Sequence, residues 1–392
     1  MDILLKMFRF TFFILWTAVL TLLVACSEPK PTIKIGVILP QTGSYQNYGI
    51  AGVQGAQLAV DQINAMGGVS GGHQLQLLIQ DNQTDPAKSV RLARELIQVD
   101  DVFALMGPVS STSREAVLEV ANRYQVPLLY GIDYEGGSVN RYLFCYSTIP
   151  DHYVTPILPI LKEEYGNNFY IVGYDYLWPH EMALTIEDTL RQIGGKLSGK
   201  SYTAFGEQNF TSIIKDIDAS GADNLLLIMA GEDGFQFLEE MEQSGLNRKV
   251  SILAFAADET YLGRVSPQAL SGVYTALHFV SDLETEVASN FRSQMTKRFA
   301  DDAIITYATK AHYDLVMLLA EAIERQGVDR EKVIDQMAGL SLYGGEHLVR
   351  LRDDHHFDLP MYLARFDNKS LQVVRQLGVI IPEDQRLVAA RQ

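Results

Sequence analysis

The chain has 392 residues, 47% of them hydrophobic and 20% charged, with a formal net charge of −16 at pH 7. That composition excludes a disordered or fibrous chain and leaves enough length for two domains with cores of their own. So acidic a body argues against nucleic acid or an anionic lipid surface as a partner, and two cysteines in all exclude a disulfide framework.

Lys6 and Arg9 lead into an apolar run from Phe10 to Leu23, which ends in Leu-Val-Ala before Cys26. The run is short for a membrane span, and residues 1–25 look like a lipoprotein signal, which implies cleavage before Cys26 and acylation of its sulfur. Residues 26–32 then read as a Pro-containing tether, so the folded part is expected outside the cytoplasm, leashed to a membrane. Cys145 is left without a partner for an intramolecular disulfide.

From residue 33 onward an apolar run, a turn and an amphipathic stretch repeat. The run Ile33 to Leu39 precedes a helix predicted over Ile50 to Met66, and the runs at 75–79, 102–106 and 126–130 alternate with helices over Pro86 to Gln98 and Thr112 to Tyr124. A second set begins with Phe169 to Tyr174, followed by a helix from Pro179 to Ile193 and a strand from Ser201 to Phe205. It continues with a helix near Phe210 to Ala219, a strand from Asn224 to Met229, a helix from Gly234 to Ser244 and a strand from Val250 to Phe255. Such alternation specifies parallel strands joined by right-handed crossovers, hence an α/β fold of two doubly wound lobes. The tail adds strand-like runs at 271–279, 347–352 and 361–366, with helices near Glu284 to Phe299 and Tyr307 to Arg325, so the chain is expected to cross between lobes several times through a hinge. Residues 33–148 with 276–340 are assigned to lobe 1, and 149–275 with 341–392 to lobe 2.

Ligands of open parallel sheets lie beyond the carboxyl ends of the strands, so the turns after each strand hold the candidate site residues. Gly194 to Ser201 satisfies the phosphate-loop spacing, but a helix precedes it where the motif needs a strand, and it reads as a helix end with a Gly-rich turn. Asp353 to His356 has metal-ligating residue types, yet neighbours in an extended segment point to opposite faces, which favours a turn. His180 and Glu181 lack a second histidine at the spacing of a zinc helix, and no nucleophile elbow occurs. Ser110, Ser111 and Ser113, with Thr112 between them, follow a strand at a helix start. One hydroxyl suffices to cap a helix, and the surplus points to a cleft.

The segments at 59–72, 107–114, 130–137, 173–181 and 353–366 occur in an order that resembles the extracytoplasmic solute-binding proteins of the branched-chain amino acid type, above all their amide- and urea-binding branch. The resemblance spans residues 33 to about 370 and implies a periplasmic-binding-protein type I fold. It also implies a small polar ligand held between closing lobes, an ABC permease as partner, and no chemistry done on the ligand. The family's hydroxyl loop matches Val109, Ser110 and Ser111, its tyrosine turn matches Tyr130 to Gly136 with Ile132, Asp133 and Tyr134, and its second-lobe aromatic pair matches Tyr176 and Trp178. Later strand ends match Glu232, Ala257 and Asp258, and Tyr48 matches an aromatic that covers the ligand. Val109, Ile132, Asp133 and Ala257 depart from the family pattern. A pocket that loses hydroxyls and gains a carboxylate suits a ligand with a larger apolar part or a positive group. A branched-chain or other amino acid as ligand, or a module reporting to a membrane sensor, are the alternatives. A monomer with no cofactor, metal or nucleic-acid partner is expected.

Overall fold

The computed structural model describes residues 30–344, 347–367 and 369–391. The expected signal segment 1–25 and the lipidation site Cys26 lie outside the described residues. A five-stranded sheet is built from β1 (Thr32–Ile38), β2 (Gln74–Gln80), β3 (Ala104–Met106), β4 (Leu128–Tyr130) and β5 (Leu143–Cys145), in the order β2-β1-β3-β4-β5, with every pair parallel. The helix Gln46–Ala65 and the late helix Tyr307–Gln326 pack together beside this sheet. Its inner strands β3 and β4 are buried throughout, as parallel strands covered on both faces must be, and so is β5 at the edge.

The second sheet contains β6 (Asn168–Tyr174), β7 (Lys196–Thr203), β8 (Asn224–Ile228), β9 (Ser251–Ala254) and β10 (Tyr274–Leu277), again parallel. It is extended on the β10 side by antiparallel β13 (Phe357–Phe366), which also pairs with β12 (His347–Leu351) and β14 (Leu371–Ile380), and β12 pairs with β11 (Ser341–Gly344). Among the described residues no helix is long and apolar enough to cross a membrane.

The chain passes between the sheets after β5, after β10 and before β11. The end of β5, where the first crossing begins, touches the turn between β12 and β13: the Cys145 amide donates to the His355 carbonyl at 2.9 Å, and the His355 ring stacks on Phe144 at 4.3 Å. Polar groups in this dense junction are shut off from water, and burial lowers the His152 and His278 imidazoles to about 3.

Two expectations need correction. The phosphate-loop lookalike is not a turn: Lys196 to Thr203 is edge strand β7, and only Gly194 ends the preceding helix. Gly199 in mid-strand admits the Tyr170 ring, since a Cβ there would stand 2.4 Å from Tyr170 Cε2. The strand after the Asp353–His356 turn begins at Phe357, four residues before the run from Met361, and β11 and β14 were not foreseen.

An aromatic cavity between the lobes

The first residues of the helix Gln46–Ala65 face the second lobe. Tyr45 and Tyr176 hydroxyls are 2.9 Å apart, and Tyr48 donates to the Ala256 carbonyl at 2.7 Å. Asn47 donates to Thr260 Oγ1 at 2.9 Å, and Gln46 donates to Glu232 at 3.1 Å. These four hydrogen bonds between the lobes describe a closed arrangement.

Behind this seam lies a cavity of about 20 Å3, lined from lobe 1 by Tyr45, Tyr48, Val109, Ile132, Asp133 and Tyr307, and from lobe 2 by Tyr176, Trp178, Ala230 and Ala256. That space holds about one water molecule. The linings come from strand ends: Val109 follows β3, Ile132 and Asp133 follow β4, Tyr176 follows β6, and Ala230 and Ala256 follow β8 and β9. Trp178 is held from behind by its indole N–H, which donates to the Tyr153 hydroxyl at 3.5 Å.

Asp133 is the only ionisable carboxylate on the wall. Its Oδ1 accepts from the Thr148 amide at 3.3 Å and from the Thr148 hydroxyl. Burial, with Asp258 nearby, holds its carboxyl well above the usual range. The Tyr307 phenol faces Asp133 but closes no hydrogen bond among the described residues. Asp258 Oδ1 accepts from the Thr260 amide at 3.0 Å and from its hydroxyl at 2.5 Å. The Thr306 hydroxyl beside Asp258 exchanges hydrogen bonds with Thr309 as a helix cap, so Asp258 Oδ2 has no partner among the described residues. Burial raises Asp258 to about 6, and burial with the Asp258 charge raises Glu259 to about 8.

The sequence-derived residues divide into two groups. Tyr48, Val109, Ile132, Asp133, Tyr176 and Trp178 converge on the cavity. Ser110, Ser111, Tyr130, Tyr134, Glu232, Ala257 and Asp258 do not line it. Ser110 caps the helix Ser111–Tyr124 through Ser113. The Ser111 hydroxyl donates to Glu135 at 2.6 Å, in a buried cluster where Arg114 also reaches Glu135 at 2.7 Å. Tyr130 and Tyr134 lie under the Arg114 guanidinium, 5.2 and 4.2 Å from its carbon, and Tyr130 donates to the Val109 carbonyl while Tyr134 pairs with His356. Glu232 bridges Arg264 and Gln46 at the rim, and Ala257 is fully buried. Sequence reasoning missed Tyr45, Tyr307, Ala230 and Ala256. Tyr45 sits one turn before Tyr48 and Tyr307 opens a capped helix, so both carried a positional signal. His180 pairs with Asp175 at 2.7 Å on the surface, and no group of three metal-ligating side chains occurs among the described residues.

Outside the cavity is an open cleft of about 880 Å3 between the two lobes and the C-terminal helix Gln385–Ala389. It is lined by six carboxylates, among them Glu115, Asp151 and Glu181, against two guanidiniums, Arg114 and Arg391.

A family model for periplasmic binding proteins matches residues 32–370. The chain belongs to this family. It is 23% identical over 316 residues to a leucine-, isoleucine-, valine-, threonine- and alanine-binding protein of Pseudomonas aeruginosa, covering 79% of this chain and 83% of that one. It is 22% identical over 376 residues to a Leu/Ile/Val-binding protein homolog of Brucella abortus, covering 91% and 95%. Among solved structures, a solute-binding protein of an ABC transporter from R. palustris in complex with benzoate has a TM-score of 0.81 at 19% identity, covering 90% of this chain and 98% of that one. The LivJ protein of Streptococcus pneumoniae in complex with isoleucine has a TM-score of 0.77 at 20% identity, covering 88% and 99%. The expected α/β fold with two parallel-sheet lobes is the family's. The protein is a solute-binding protein of the ABC-transporter type for small ligands, and its relatives are binding proteins and not enzymes.

Proposed function

We propose that the protein captures a small nitrogen compound in the aromatic cavity between its lobes and delivers it to an ABC permease. In this reading the lobes are residues 33–148 with 276–340, and 149–275 with 341–392. The folded part works outside the cytoplasm, tethered through an acylated Cys26. The observation that carries the reading is the cavity itself: rings from both lobes and one carboxylate meet where four hydrogen bonds close the cleft. Rings give a flat apolar surface with polar handles, and Asp133 gives an acceptor for N–H groups.

The names of the relatives favour a second reading, a branched-chain amino acid as ligand. Asp133 would take its ammonium, but its carboxylate would meet the Ser111 hydroxyl already donated to Glu135. A melting-temperature panel of urea, short amides, small amines, branched amino acids and benzoate separates the readings. A ligand present at a hundred times its Kd stabilises by about 2.7 kcal/mol. At least one nitrogen compound without a carboxylate is expected to raise the midpoint. A response to amino acids alone supports the second reading instead.

A further inference from the structure

We propose that the solute is a small cation, an ammonium or quaternary ammonium ion that carries no carboxylate. This rests on the reading of the cavity as the ligand site. The first ground is unpartnered oxygen. The cavity wall contains Asp133 and, among the described residues, no Lys or Arg, and Asp258, whose charge acts on Asp133, has one oxygen without a partner. The Tyr307 hydroxyl, on a side chain with no solvent exposure, lines the same cavity and is also unpartnered among the described residues. Buried carboxylate and phenol oxygens left without donors cost free energy that an N–H-bearing or positively charged guest recovers.

The second ground is the wall. Tyr45, Tyr48, Tyr176, Trp178 and Tyr307 surround the space, and aromatic faces attract cations most strongly where water is excluded. The third is the engagement of the side chains that could hold an anion. At the start of the helix Ser111–Tyr124 the hydroxyl of Ser111 and the guanidinium of Arg114 are both taken by Glu135, and Arg114 is also paired with Glu115. An amino-acid carboxylate or a benzoate would therefore be brought up against Glu135 and find no free cation. The fourth is the net charge of the outer cleft. The cleft holds six carboxylates to two guanidiniums; Glu115, Glu135 and Glu383 pair with those two and Asp188 with Arg191, which leaves Asp151 and Glu181 to attract cations. The small free volume favours a compact head group.

The test is titration calorimetry and thermal melting of the full chain in detergent. The probes are methylammonium and tetramethylammonium chloride, with sodium chloride as the ionic control. Urea, acetamide and tert-butanol serve as neutral counterparts, and isoleucine and benzoate as anionic ones. At least one ammonium ion is expected to bind, the neutral and anionic probes to fail, and Asp133→Asn to weaken ammonium binding about a hundredfold. Asp258→Asn is the second variant should Asp133→Asn not fold, and it is expected to weaken the same ligand in the same direction. Binding of urea or acetamide but of neither ammonium ion overturns the cation assignment and leaves the cavity as the site. Ammonium affinity unchanged in both variants overturns it as well, as does the absence of binding by either ammonium ion. A response confined to isoleucine or benzoate overturns this proposal and the reading it rests on.

Discussion

Gly231 sits at the seam between the lobes, and replacing it with alanine separates two effects that are otherwise hard to tell apart. Its backbone has φ 83° and ψ −152°, a region essentially reserved for glycine, and an added Cβ would stand 2.3 Å from the Ser44 carbonyl oxygen of the other lobe. The backbone strain belongs to lobe 2 alone and costs about 1–3 kcal/mol in any arrangement of the lobes. The contact with Ser44 exists only when the lobes are closed, and overpacking of this kind costs about 1–3 kcal/mol more. A penalty on the closed form alone weakens ligand binding roughly 5- to 150-fold. Gly231→Ala is therefore expected to lower the melting temperature of the free protein and, separately, to raise Kd by that factor for any compound that stabilises the wild type. X-ray scattering is expected to show less compaction on ligand addition. A lowered melting temperature with an unchanged Kd would refute the cross-lobe contact, because strain within one lobe would then explain everything.

Tyr45→Phe removes the 2.9 Å bond to Tyr176 and is expected to weaken ligand binding two- to tenfold, as calorimetry would read, in line with about 0.5–1.5 kcal/mol for such a bond. Unchanged affinity would mean that this bond does not hold the closed form. Arg114→Met leaves Glu135 buried and unpaired, which costs roughly 3–5 kcal/mol, and thermal melting should show a large loss. Glu259 is raised from its ordinary 4.5 to about 8, so the folded protein holds a proton that the unfolded chain releases. That contribution to stability is complete below pH 4.5 and is lost as the pH rises through about 8. His152 and His278, lowered from 6.5 to about 3, act in the opposite sense and cost stability as the pH falls below 6.5. Urea unfolding is thus expected to give maximal stability in mildly acidic buffer with a decline from pH 6.5 to 8. Buried Asp133 adds to that decline, and Glu259→Gln should make it shallower. An unaltered slope would contradict the burial of Glu259.

The alternation of β-rich runs with amphipathic stretches made the two-lobe fold legible, because a parallel strand covered on both faces must be continuously apolar and a crossover helix must not be. The helix Pro86–Gln98 is marked in the sequence by Asp85 as its cap and by a proline at its first turn, and the structure has the same bounds. Strand β7 was misread at its start because an edge strand tolerates Lys196, Ser198 and Lys200 among its residues, which hides the apolar signal. In β14, Arg375 and flanking glutamines mask a strand paired along one edge only.

The turns after strands supply much of the cavity wall, as the placement of Asp133, Tyr176 and Trp178 illustrates. What a turn does not reveal is which way a side chain is drawn. The surplus hydroxyls after β3 pointed to a cleft, but a buried arginine one turn later and a glutamate from the next strand end take up Ser111. Tyr307 was harder to find for a different reason: its place at a helix start is a weak signal, and it reaches the cavity because its helix, far along the chain, packs against Gln46–Ala65.

The chain has two tryptophans, Trp16 in the expected signal segment and Trp178 in the cavity wall. In the full chain carrying Trp16→Phe, indole emission therefore reports on the cavity alone. A compound that raises the melting temperature should change that emission along a saturable curve, with the same Kd by fluorescence as by calorimetry. A compound that binds and stabilises while leaving Trp178 emission unaltered would place the ligand elsewhere and contradict the account.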